Sequence, residues 1–91
     1  MIIPQGFSPN NDRINDYFVI PGIENFPNNK ITIFNRWGNI VYESNKYNNE
    51  WEGKSNKGPS AYEDLPVGVY YYILDLGDGR NPITGYIYLN R

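Results

Sequence analysis

Near the start of the chain, Asn10, Asn11, Asp12, Asn15 and Asp16 crowd side-chain oxygens into one short polar stretch. Oxygen-rich turns of this kind bind Ca²⁺, which takes roughly six to eight oxygen ligands. The candidate ligands are Asn10, Asp12, Asn15 and Asp16. No acidic residue follows at the spacing of a bidentate end ligand, so the EF-hand pattern fails. The competing reading is an Asx-turn, in which the same side chains bond their own backbone. Calcium is the one cofactor the sequence suggests.

Other chemistry is harder to build. Glu50, Glu52, Glu63, Asp64, Asp75 and Asp78 are available as acids or bases. Glu63 and Asp64 are adjacent, so an extended backbone points them apart. A glycosidase needs two carboxylates facing each other across a cleft, and no spacing here provides that. Histidine and cysteine are absent, which removes the commonest general base, thiol nucleophiles and the usual zinc ligands. A non-enzymatic protein is expected.

The residues suited to recognition are aromatic. Trp37, Trp51, Tyr71, Tyr86 and Tyr88 could stack on sugars or dock a protein, or could fill the core and pack loops. Arg36 and Trp37 share one polar turn, Asn35-Arg36-Trp37-Gly38-Asn39, between the β-rich runs 31–34 and 40–42. Gly38 and Asn39 tolerate the positive φ that tight hairpin turns demand. The plain expectation is that Trp37 packs against a neighbouring loop and Arg36 pairs with a carboxylate. The functional expectation is that Arg36, Trp37 and Gly38 form a partner-binding tip.

The elements that must hold these residues are strands. The chain has 91 residues, enough for one domain with a single core. Nine tyrosines and few helix-forming runs point to β structure. Segments 2–7, 17–20, 31–34, 40–42, 69–76 and 84–90 read as short strands separated by Gly, Pro and Asn turns. In 69–76, alternation puts Tyr70, Tyr72, Leu74 and Leu76 on one face and Val69, Tyr71, Ile73 and Asp75 on the outward one. In 84–90, Ile87 and Leu89 face in, Tyr86 and Tyr88 out. Ile23 and Phe26 tuck inward from a loop, and Trp51 covers the end of the core. The expected fold is all-β, an Ig-like antiparallel β-sandwich of about seven short strands. The last strand is expected at a sheet edge, where a partner could add a strand alongside Tyr86, Tyr88 and Arg91.

Net charge is −2 and pI about 4.9. The eight Lys and Arg are scattered, so nucleic acid is not an expected partner. No run is long enough to span a bilayer, and Met1-Ile2-Ile3-Pro4 lacks the charged and apolar regions of a signal peptide.

Read in order, the pieces FSPNNDRINDYF (7–18), ITIFNRWGNIVYES (31–44), WEG (51–53), LPVGVYYYILDL (65–76) and TGYIYLNR (84–91) resemble one family. It is the gliding-motility-associated C-terminal domain, the type B C-terminal sorting domain of the Bacteroidetes type IX secretion system. Phe34-Asn35-Arg36-Trp37-Gly38 together with Gly68-Val69-Tyr70-Tyr71-Tyr72 carries most of the resemblance. Asn11 and Arg13 stand where the family usually has Gly, and Glu52 where it has Asp. The resemblance implies one sorting domain, residues 1–91, cut from a much larger precursor whose cargo lies N-terminal. It implies export across the outer membrane to the cell surface or medium. The implied partners are the type IX translocon and shuttle or PorP-like proteins. The alternative expectation is an Ig-like carbohydrate-binding or adhesion module using exposed Trp and Tyr faces.

Overall fold

The structure is a computed structural model that describes residues 1–10, 16–59 and 61–91. Its five strands are β1 (Gly6–Phe7), β2 (Lys30–Phe34), β3 (Ile40–Asn45), β4 (Gly68–Asp75) and β5 (Ile83–Leu89). They form one open sheet in the order β1-β5-β4-β2-β3. Three of the pairings are antiparallel, and β1 runs parallel to β5. The all-β class stands: the described residues hold no α-helix, only a 3-10 turn at Ile23–Asn25. No helix among them is long and apolar enough to cross a membrane.

The sheet follows from period-two patterning. Ile31, Ile33, Tyr70, Tyr72, Leu74, Ile87 and Leu89 are buried on one face. Val69, Tyr71, Ile73, Tyr86 and Tyr88 are exposed on the other, as the alternation of β4 and β5 predicts. β3 breaks the rhythm. A register shift pairs Ile33 with Tyr42 but Phe34 with Ile40, so Val41 is the extra residue of a bulge. Val41 and Tyr42 are consequently both buried.

The arrangement differs from the expected sandwich of about seven strands. One layer is this five-stranded mixed sheet, and irregular segments pack across its inner face. Residues 17–20 keep the alternation of a strand, with Phe18 and Ile20 buried and Tyr17 and Val19 exposed. They form no ladder: Phe18 N–H donates to the Trp51 carbonyl at 2.9 Å and Ile20 N–H to Asn49 Oδ1 at 2.7 Å. A side chain thus takes the place of the second strand bond. In 2–7 only Gly6–Phe7 pairs, because Pro4 has no N–H to give.

The last strand lies beside β1 at Tyr88 and Leu89 alone, which narrows the expectation of an open terminal strand to its first part. β1 covers its end, with Tyr88 N–H donating to the Gln5 carbonyl at 2.7 Å and Asn90 N–H to the Phe7 carbonyl at 3.1 Å. The true edge beside β3 is covered as well. Asn56 N–H donates to the Val41 carbonyl at 3.0 Å, and its side chain bonds both Glu43 N–H and the Glu43 carbonyl. One asparagine thereby satisfies edge groups that would otherwise template aggregation.

Trp51 does not cover the core's end but occupies its middle. Its ring lies 5.1 Å from Phe7, 5.7 Å from Tyr42 and 6.2 Å from both Phe18 and Tyr70, centroid to centroid. Beside it, the Tyr47 hydroxyl donates to the Phe18 carbonyl at 2.6 Å and accepts from Trp51 N–H at 3.2 Å. Buried Asn29 ties the irregular layer together: its side chain donates to the Phe26 and Tyr47 carbonyls and accepts from Tyr47 N–H.

These tyrosines set an alkaline limit. Burial, helped by the Glu50 charge, pushes the Tyr42 hydroxyl up to about 12. Burial raises Tyr47 further, and raises Tyr70 and Tyr72. In the unfolded chain tyrosine loses its proton near pH ~10. Their contribution is therefore complete below that pH and is lost as pH climbs through the folded values, because the unfolded state sheds protons first. Each such tyrosine steepens the loss by at most about 1.4 kcal/mol per pH unit, and the less deeply buried Tyr70 and Tyr72 by less than Tyr47. Urea unfolding should give a flat free energy to about pH 9.5 and a steep fall above it. A stability unchanged at pH ~11 would contradict this assignment.

Candidate recognition tip and exposed aromatic face

The turn joining β2 to β3 is built by Asn35. Its Oδ1 accepts from Trp37 N–H and Asn39 N–H, both at 3.0 Å. Its backbone N–H donates to the Asn39 carbonyl, and its carbonyl accepts from Gly38 N–H. Gly38 has φ +81°, while Asn39 is not among the positive-φ residues, so glycine alone takes the left-handed position. This Asx-type turn fixes the backbone and leaves two side chains projecting.

Those side chains are Arg36 and Trp37. Trp37 is 71% exposed. The Arg36 guanidinium carbon sits 4.3 Å from the centre of the Trp37 ring, a cation–π stack. The plain expectation of a carboxylate partner is not met: among the described residues no carboxylate pairs with Arg36. Nor is Trp37 packed away. With Val41, Leu65, Pro66 and Val67, the two side chains line an open cleft of about 340 Å³.

The far wall of that cleft is held by Arg91. Its Nη2 donates to the Gly53 carbonyl at 2.8 Å and the Leu65 carbonyl at 3.1 Å, its Nε to Leu65 at 3.3 Å, and its Nη1 to the Pro9 carbonyl at 3.4 Å. Asp64 lies 3.7 Å away. The Tyr70 hydroxyl adds a bond to the Pro66 carbonyl at 2.6 Å. Arg91 is 24% exposed at its side chain, and the planar fork that lets one guanidinium reach three carbonyls is specific to arginine. Its place is that of an internal clamp.

The outer sheet face carries the remaining candidates. Register places Phe34, Tyr71 and Tyr86 side by side across β2, β4 and β5. Val69 and Tyr88 form the next rung, and Ile73 and Thr84 the one on the other side. Tyr86 and Tyr88 thus sit with Tyr71 on one exposed face, which meets the tip's cleft at Val69. Trp51, grouped with them in the sequence, is in the core instead.

The carboxylates are dispersed and locally engaged. Glu43 pairs with Lys30 and Lys57, and these lysines hold it below the usual carboxylate range. Glu50 accepts from Ser44 and Asn48, Glu52 pairs with Lys54 and Asp78 with Arg80, and Asp75 caps Gly77 N–H. Of the candidate calcium ligands, Asp12 and Asn15 lie outside the described residues. Asp16 Oδ1 accepts from Asn10 N–H at 3.1 Å. Among the described residues no group of three acidic side chains is placed to hold a metal ion.

Sequence reasoning did not find three features of the tip: the Asn35 side chain as its organiser, the 65–67 segment as its facing wall, and Arg91 as the clamp behind that wall. The first had a signal. An Asn opening a five-residue turn that contains Gly is Asx-turn chemistry. The other two depend on contacts far apart in the chain and had none.

A rigid turn displaying an unpaired Arg–Trp stack, beside an exposed aromatic sheet face, defines a small all-β display module. The profile of the CHU_C type IX secretion signal domain matches residues 1–89, and the chain belongs to that family. This is the type IX signal class that the motifs at 34–38 and 68–72 resemble, and membership implies a non-catalytic role in export across the outer membrane. Neither the curated proteins nor the solved structures gave a match to this chain.

Proposed function

We propose that this chain is the C-terminal sorting and surface-attachment module of a larger secreted protein. It directs an N-terminal cargo through the type IX system by presenting a folded surface to outer-membrane components of the translocon, shuttle or PorP-like class. Family membership over residues 1–89 is the observation that carries the reading. The Arg36–Trp37 tip supports it, because the turn spends four hydrogen bonds on holding exposed residues that the core does not need. Gly38 belongs to the contact as the residue that lets the turn form. Tyr86 and Tyr88 extend the surface along β5.

The test is a fluorescent protein bearing a signal peptide and fused ahead of residues 1–91. Surface fluorescence is expected in cells with an intact type IX system and not in cells lacking it. Equal display in both strains would overturn the reading. The second reading, carbohydrate binding, is favoured by the aromatic rung Phe34–Tyr71–Tyr86, since ring faces stack on sugars. A glycan panel that binds the chain and loses binding with Tyr86→Ala would establish it.

A further inference from the structure

The cleft beneath Arg36 has an unfinished sheet edge in its wall. Tyr88 and Asn90 give their N–H groups to the β1 side, so ladder alternation turns the backbone of Gly68, Tyr70 and Tyr72 toward β5 and that of Val69, Tyr71 and Ile73 toward β2. β2 pairing ends where Phe34 meets Tyr71. There the chain swings into the 35–39 turn, and among the described residues no backbone bond runs from that turn to Val69. The Val69 N–H and C=O therefore face the cleft at the position a longer β2 would fill.

Three features converge on this notch. It offers main-chain hydrogen bonding at Val69, an apolar floor between Val41 and Leu65, and a guanidinium at the rim with no carboxylate of its own. Its walls are fixed beforehand: Trp37 by the Asn35 turn, and the 65–67 segment by Arg91 and the Tyr70 hydroxyl. A preformed site spends less of its binding energy on ordering. We propose that the notch binds an extended peptide segment of a partner, which adds a short strand against Val69, seats an apolar side chain between Val41 and Leu65, and sets a carboxylate against Arg36. Strand addition gives main-chain affinity and the flanking pockets give selectivity. The charge of the site picks an acidic segment over a basic one. The inference rests on the sorting reading and names the chemistry of its partner.

The probe is the capped pentapeptide acetyl-Thr-Val-Glu-Val-Thr-amide, compared with its Gln counterpart, titrated into ¹⁵N-labelled chain to about 1 mM. The acidic peptide should move the Trp37 indole and Val69 amide signals and bind about fivefold more tightly than the Gln peptide. Arg36→Gln should erase that preference while leaving the spectrum folded. Equal binding of the two peptides, no shifts, or shifts confined to Tyr71, Tyr86 and Tyr88 would overturn the proposal. Export is scored separately with the fused cargo. If Arg36→Gln blocks export but the peptide never binds, the sorting reading stands and the acidic strand is rejected. If the peptide binds as described and Arg36→Gln exports normally, the notch is real and the tip is not the sorting contact.

Discussion

Trp51→Ala should cost the domain about 3–5 kcal/mol, a large share of its stability. Truncating a buried Trp costs about 3–5 kcal/mol, and a domain of this size has about 5–14 kcal/mol in total at ordinary stability per residue. Trp51 is at the severe end for structural reasons. It is 1% exposed and touches aromatic rings from β1, β3, β4 and the 17–20 segment. No single neighbour can move in to fill the space, because each belongs to a different element. Its indole N–H also donates to the Lys54 carbonyl at 3.0 Å, and its backbone N–H and C=O bond Tyr47 and Phe18. Denaturant unfolding checks this. Trp51→Phe should fall between wild type and alanine, keeping most of the ring contact and losing the indole bond. A loss under about 1 kcal/mol for alanine would mean the core is not centred on this residue.

Gly77→Val should be nearly as damaging, although the position is exposed. Gly77 has φ +72°, and a β-branched residue there carries about 1–2 kcal/mol of backbone strain. The added Cβ would also run into the backbone of Asn28. That backbone cannot retreat cheaply, since the next residue, Asn29, anchors Phe26, Lys46 and Tyr47 through its hydrogen bonds. A total of about 3 kcal/mol is expected once overpacking is added. Gly79 is the control. It has φ +89° with open space around it, so Gly79→Val carries strain alone and should cost about 1–2 kcal/mol. Equal losses at the two positions would show that contact with Asn28 contributes nothing.

Much of the sheet was legible because its signals are local. The alternation sorted the six consecutive tyrosines and aliphatics Val69–Leu74 of β4 and the four Tyr86–Leu89 of β5 correctly in and out, with Asp75 marking the wet face. The 31–42 hairpin was readable from Gly38 and its β-branched flanks. What was not legible depends on distant partners. A two-residue parallel strand has too little sequence to announce itself, so β5 read as an edge along its whole length when β1 in fact covers Tyr88 and Leu89. Segment 17–20 reads as a strand from its pattern, but strand status needs a ladder, and Asn49 supplies a side chain in place of one. At the tip, the residue types suggested recognition, while the Arg91-clamped wall became visible only when residues 26 to 82 apart in sequence were brought together.

The central claim is that the 35–39 turn is a contact surface and not a structural support. One paired measurement on Arg36→Ala/Trp37→Ala tests it directly: the melting temperature of the isolated domain, and surface display of fused cargo in cells with an intact type IX system. The account predicts a melting temperature within about 2 °C of wild type, as expected for exposed side chains, together with loss of surface display. Normal display by the folded double variant would contradict it, as would a domain that unfolds when these two side chains are removed.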